Sequence, residues 1–239
     1  MVQVVHLSNC NFLTLKQAEN QNPRTSIMEK SIEFSNAFEE TLKASDIGDL
    51  VTEYSEIGLD SLLNGGILEN VPIFKTFVCV GKIGITVSDM ILAKKLMDFL
   101  TALNELPAAK RQKMVEKLES DPKYERKVGE HLIELLDRID SHLNTKMLAK
   151  VFIAYANREI DALMLQRLNL AIERLPNFEI GTVRKFRNSE KDVRKQMDEG
   201  TLHNLINAGL AKERQSYGGG VYVPTELMEI FLQLNLDIN

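Results

Sequence analysis

The side chains able to bind a metal or act as nucleophiles are few and scattered. The histidines are His6, His131, His142 and His203, and the cysteines are Cys10 and Cys79. A structural zinc site takes four Cys or His ligands at paired spacing, and no such spacing occurs. A di-iron bundle uses Glu-x-x-His pairs, and the chain has none. His131 and Glu134 share one helix face, but a single pair cannot hold a metal. A histidine satisfied at the surface or in the core is the ordinary reading for each. The motifs G-x-S-x-G, H-E-x-x-H and G-x-G-x-x-G are absent. Gly81-Lys82-Ile83-Gly84 lacks the first glycine and the hydroxyl of a phosphate loop. Asn157, Glu159 and Asp161 outline a calcium-like loop without its sixth-position glycine and with too few oxygens. The carboxylate pairs Glu39-Glu40, Glu134-Asp137 and Asp198-Glu199 fall on faces expected to be solvated. These features point to a non-enzymatic protein with no cofactor and no evident small-molecule substrate.

Two charged patterns remain. Arg184, Lys185, Arg187, Lys191, Arg194 and Lys195 gather within twelve residues, diluted by Glu190 and Asp192. Such a cluster can position phosphates. Downstream, Asn204, on the recognition-helix candidate, and Lys212 and Arg214, on the strand before the wing, complete the candidate nucleic-acid contacts. From Phe178 to Asn239 there are eight basic and nine acidic side chains, so the segment is not built mainly to coat nucleic acid. The second pattern is the stripe Lys75, Lys82 and Asp89, spaced seven apart in an apolar run from Val71 to Leu103. On one helix these positions drift by only about 20° per heptad. The stripe has three readings: the edge of a central bundle helix, the polar side of a membrane-inserting hairpin, or the lining of a channel through the bundle. No stretch between charges is long enough for a lone span, and each charge at the bilayer centre costs at least ~2.5 kcal/mol.

The elements that must position these residues are helical. Phe34, Phe38 and Leu42 repeat at four-residue spacing from a helix beginning near Ile27. Leu50, Tyr54 and Ile57 resume the pattern after Asp46 and Gly48, and Gly58, Gly65 and Gly66 punctuate it. Pro72 suits the first turn of the apolar helix. Pro107 opens a helix carrying Met114, Val115 and Leu118 inward. Asp121-Pro122 reads as the start of the next, with Leu132, Leu135, Leu136 and Ile139 on one face. Asn144 or Thr145 is expected to cap a helix bearing Leu148, Val151, Phe152 and Tyr155. Asp161 caps another, lined by Leu165, Leu168, Ile172 and Leu175 and stopped by Pro176. Beyond it, Ser189 to Asp192 matches a capping box. Thr201 starts a helix that ends at Gly209. Leu210–Gln215 and Val221–Val223 flank a glycine-rich turn as a hairpin, and Pro224-Thr225 caps a last helix. Helix, helix, hairpin, helix is the pattern of a winged helix; a helical hairpin with a glycine-rich loop is the alternative.

The fold class expected is therefore mostly α: a multi-helix bundle over residues 27–176, then a winged-helix-like domain with a small β-hairpin over 177–239. Residues 1–26 read as a flexible arm with one short strand, Val2 to Leu7, or Met28 is the true start. The chain of 239 residues is long enough for a real core. Without Trp and with only 6% aromatics, that core must be aliphatic. Two distant thiols and no signal-peptide pattern suggest a cytoplasmic protein, peripheral to the inner membrane if the apolar helix engages it.

Several runs carry a resemblance: LENVPIFK (residues 68–75), KKLMDFL (94–100), VGEHLIELLDRID (128–140), KMLAKVF (146–152), the turn Arg158-Glu-Ile-Asp161, and Asn207-Ala-Gly-Leu210 followed by a glycine-rich wing and Val223-Pro-Thr. Together they resemble an uncharacterised bacterial helical family of mobile-element and phage-defence neighbourhoods, similar in layout to abortive-infection alpha proteins. The likeness spans about Ser45 to Leu234 and offers no catalytic residue to carry over. It implies a role in phage defence. The functional expectation is an interaction or effector protein, conditionally membrane-active through residues 71–103, with a protein partner or self-association. The alternative is a DNA-binding regulator acting through the C-terminal domain.

Overall fold

Apolar residues three and four apart fold most of this chain into helices. The computed structural model describes residues 23–44, 47–64, 71–81, 87–122, 127–139, 141–216 and 219–237. The helices are α1 (Pro23–Lys43), α2 (Ile47–Asn64), α3 (Pro72–Gly81), α4 (Val87–Leu103), α5 (Ala108–Ser120), α6 (Val128–Arg138), α7 (His142–Ala156) and α8 (Ala162–Arg174). A 3₁₀ turn at Asn177–Glu179 leads into α9 (Ile180–Asn188), α10 (Lys191–Lys195) and α11 (Glu199–Asn207). The antiparallel strands β1 (Ala211–Ser216) and β2 (Gly219–Pro224) pair from Ala211↔Pro224 to Ser216↔Gly219, and α12 (Glu226–Gln233) follows. The chain is thus mostly helical, with, among the described residues, one small two-stranded sheet near its C-terminus.

The centre lies between α4 and α7. Leu96, Phe99, Leu100 and Leu103 of α4 and Leu148, Val151 and Phe152 of α7 are fully buried, and the two helices pack on each other. Phe99 meets Phe152 edge-on at 5.8 Å and Phe38 of α1 at 6.2 Å. Each such side chain contributes about 1.5–3 kcal/mol on burial. Helix α1 also packs on α3, α5 and α6. Thr41, fully buried, donates to the Ala37 carbonyl and accepts from the Ile73 N–H at 3.1 Å, pinning the start of α3 to α1.

The apolar run from Val71 to Leu103 is described as two helices, α3 and α4, and residues 82–86 lie outside the described residues. Ile73 and Phe74 are fully buried, as the central-helix reading requires. The first turns of α4 depart from it: Val87 is 78% exposed and Ile91 51%. The strand expected at Val2–Leu7, the turn at Gly65-Gly66 and residue Lys82 also fall outside the described residues.

Several helix starts differ from the sequence reading. Asp121 closes α5, at φ −81° and ψ 116°, and α6 begins at Val128. A residue preceding proline is pushed out of the helical region, so Asp121-Pro122 acts as a stop. Ser141 caps α7 by accepting from the Asn144 N–H, in place of Asn144 or Thr145. Ser189 ends α9 instead of opening α10, its hydroxyl donating to the Lys185 carbonyl. Asp198 caps α11 by accepting from the Thr201 N–H, so this helix begins before the expected start at Thr201. Gly58 lies inside α2 rather than breaking it, and α1 starts at Pro23 rather than near Ile27. Asp161 and Thr225 cap α8 and α12 through their side chains. Helix α9 is an element beyond those expected, although Ile180, Val183 and Phe186 recur every three residues and are buried.

Three helices end on one device. Arg158 (φ 67°), Gly209 (φ 73°) and Asn235 (φ 51°) take the left-handed conformation. The next N–H in each case reaches back to Ala154, Leu205 and Phe231 respectively, the Schellman arrangement. Gly and Asn suit that conformation; arginine does not. Arg158→Gly is expected to add about 0.5–1 kcal/mol and raise the melting temperature by roughly 2 °C, as read by scanning calorimetry.

A carboxyl pair links α1 to α5. Glu39 is buried and accepts from the Gly129 N–H at the start of α6 at 3.1 Å. Burial first, then the hydrogen bond and charge of Glu39, push the Glu119 carboxyl above its ordinary value of 4.5, against the pull of Lys43 and Lys127. A carboxyl raised on folding contributes stability below its unfolded pKa and loses it as pH rises through the folded value. Glu119→Gln is therefore expected to gain stability relative to the parent as pH rises above about 4.5 in urea titrations. A gap that shrinks over that range would contradict the raised carboxyl.

Candidate partner-binding cleft

Helix α8 has two usable faces. Leu165, Leu168 and Ile172 are fully buried. On the other side Leu163, Arg167, Leu170 and Arg174 follow one another at spacings of four, three and four, a strip about 60° wide on a helix. Leu163 is 39% exposed and Leu170 41%. Phe178, four residues past the end of the helix in the 3₁₀ turn, is 79% exposed. Asp161 fixes where this strip begins, because its carboxylate accepts from the Met164 N–H at 2.8 Å.

The C-terminal elements lean against this helix through α11 and α12. Between them lies a half-open cleft of ≈ 460 Å³. One wall is Met164, Arg167, Leu170 and Arg174. The other is Ile206 to Gly209, Lys212 and Thr225 to Leu227. Arg174 ties the walls by donating to the Asn207 carbonyl at 3.5 Å. The Thr225 hydroxyl lies 2.8 Å from the Gly209 carbonyl and 2.9 Å from that of Leu210, and accepts from the Met228 N–H. One side chain thus closes the base of the hairpin and starts α12. Glu173, on the flank of α8, pairs with Arg138 at 3.5 Å. Among the described residues Arg167, Arg174 and Lys212 form no ion pair. The cleft therefore offers three cations against the single carboxylate Glu226, over an apolar floor. It can hold an anion whose neighbouring groups are greasy.

Of the basic cluster read from the sequence only Arg194 is buried; Arg184 and Arg187 are exposed but engaged with carboxylates. Arg184 makes a two-pronged pair with Asp237, at 2.6 and 2.8 Å, which raises its pKa. Arg187 pairs with Glu229 at 2.7 Å. Arg194 is buried and donates to the carbonyls of Phe186, Arg187 and Tyr222. Its guanidinium lies 5.1 Å from the Phe186 ring centre. Burial, then repulsion from Arg187, lowers its pKa. Asn204 donates to the buried carboxylate of Glu179 at 3.3 Å, beside the Thr201 hydroxyl at 2.9 Å. Lys185, Lys191, Lys195, Lys212 and Arg214 are exposed, and only Lys212 enters the cleft.

Of the other stripe, Lys75 is exposed on α3 and Asp89 is half-buried on α4. Among the described residues no helix is long and apolar enough to cross a membrane, and no cluster of His, Cys, Asp or Glu could hold a metal. Arg167 and Arg174 are absent from the candidates drawn from the sequence. Their signal was present, as a second stripe interleaved with the buried one on α8.

Set against family models, curated proteins and solved structures, the chain matches none of them.

Proposed function

We propose that the protein is a non-enzymatic interaction or effector protein, in which a winged-helix-like C-terminal domain and the last bundle helix together hold a partner protein. The observation that carries this reading is the cleft itself: Met164, Arg167, Leu170 and Arg174 of α8 face Lys212 and Leu227 across an open, mostly apolar cleft. Binding sites concentrate in such concave, mostly apolar surfaces with a few convergent polar groups. Support for a role in phage defence is the sequence resemblance of residues 45–234.

The test is sedimentation of the tagged protein in extract of its native host cells. The parent is expected to travel in a complex larger than its own 27.1 kDa. Leu170→Asp and Phe178→Asp, both exposed, are expected to return it to the free position while leaving its melting temperature within about 1 °C. Identical sedimentation of parent and variants would overturn the reading.

Two other readings have an observation apiece. Exposed Val87 and Ile91 support conditional membrane contact, in which case Val87→Asp and Ile91→Asp would reduce leakage from anionic vesicles. The exposed lysines 185, 191 and 195 support DNA binding, in which case changing all three to Ala would weaken duplex retardation and flatten its salt dependence. The pairing of Arg184 and Arg187, and the attachment of Asn204 to Glu179, favour the protein-binding reading over this one.

A further inference from the structure

The chemistry of the cleft specifies the kind of partner, given that the interaction reading holds. We propose that it receives an acidic amphipathic helix of another protein, with carboxylates against Arg167, Arg174 and Lys212 and apolar side chains against Leu170 and Leu227 in the cleft and Leu163 further along the α8 face. Spacing favours a helix as the occupant. Leu163 and Leu170 stand seven residues apart, as do Arg167 and Arg174, which is the repeat at which one helix meets another. Helix-in-groove recognition uses apolar anchors at i, i+3 or i+4, and i+7, and this strip presents the complementary set. Charge favours an acidic one. The cleft carries three cations and one carboxylate in a chain whose net charge is −5, so the local sign is opposite to that of the whole molecule. Glu226 shares its wall with Lys212, whereas the α8 wall carries only the two arginines. The cations alternate with leucines, which fits an amphipathic helix better than a continuous phosphate backbone.

Glu173, the one acid in the last turn of α8, is drawn to Arg138 on the far flank. The wall facing the cleft is thereby left to Arg167 and Arg174.

The test uses the full chain and two fluorescein-labelled synthetic helices of about two heptads. In one, Leu sits at a and d with Glu between; in the other, Lys replaces every Glu. Fluorescence anisotropy at low salt is expected to show the parent binding the Glu helix at least about tenfold tighter than the Lys helix. Arg167→Glu with Arg174→Glu is expected to reverse that preference. A reversal also shows that the variant is folded. Leu170→Asp is expected to lose both peptides, whereas Lys185→Glu with Lys191→Glu leaves the preference unchanged. The inference is overturned if the parent shows no preference for the Glu helix or if the α8 reversal leaves the preference intact. It is equally overturned if the Lys185/Lys191 variant loses binding, or if a single-stranded oligothymidylate displaces the Glu helix in a salt-dependent way. Should the complex in cell extract depend on Leu170 while the Glu helix fails to bind, the interaction reading stands and the acidic partner falls. Should the complex be absent as well, both fall.

Discussion

Arg111→Met is expected to cost about 3–5 kcal/mol and to lower the melting temperature by roughly 10 °C. Arg111 is 2% exposed, and its guanidinium ties two helix ends together. Nε donates to the Leu42 carbonyl at 3.0 Å and Nη1 to that of Leu106 at 2.6 Å; Nη2 donates to that of Ala44. These carbonyls end α1 and follow the end of α4, where helices run out of internal donors. Methionine fills much of the volume but leaves three acceptors in a dry site, each costing about 1–3 kcal/mol before relaxation. Arg111→Lys should fall between, since one ammonium cannot reproduce the planar fork. Urea titrations of the three proteins provide the check. A loss under about 1 kcal/mol for Met would show that the carbonyls find other donors and that Arg111 does not join α1 to α5.

Gly129→Ala is expected to destabilise by about 3 kcal/mol, although alanine is the better helix former by about 1 kcal/mol. A Cβ at Gly129 would overlap the Ser35 carbonyl oxygen and stand 3.0 Å from the Glu39 Cγ. The first obstacle is backbone of α1, which cannot swing aside as a side-chain tip can. The two helices would have to part, loosening the Glu39 contact to the Gly129 N–H. Close-packed interiors resist such shifts. Propensity and overlap thus pull in opposite directions, and the steric overlap outweighs the gain in helix propensity. An alanine variant as stable as the parent in calorimetry would mean that α1 and α6 do not meet as described.

These two residues mark where sequence reasoning runs out. Arg111 sits in the run Lys110, Arg111, Gln112 and Lys113; its spacing of three, four and seven from Met114, Val115 and Leu118 puts it on their face, but its residue type reads as a solvated cation. Arg194 reads as a phosphate contact for the same reason, and its burial follows from the fold around Phe186 and Tyr222. Gly129 carries no pattern at all, because its role depends on what crosses it ninety residues earlier in the chain. What is legible has a period or a cap. The buried stripe Leu165, Leu168, Ile172 and Leu175 follows from spacing, and Asp161 and Thr225 follow from the geometry of N-caps. The hairpin follows from its glycine-rich turn. Asp121-Pro122 misleads because the same pair can open one helix or close another. The cleft lies between these cases, since a stripe of Leu and Arg reads as an ordinary solvated face until its opposite wall is known.

Site-specific photo-crosslinking inside producing host cells tests most directly whether the α8 strip holds a partner protein. A benzophenone amino acid is placed in turn at Leu170 on the strip, at exposed Phe178 four residues past α8, at Lys195 in the basic cluster and at Ile91 near the start of α4. A discrete protein adduct is expected from positions 170 and 178 and none from 195 or 91. Adducts confined to position 195 and sensitive to nuclease, or to position 91 and extractable with lipid, would contradict a protein-binding cleft.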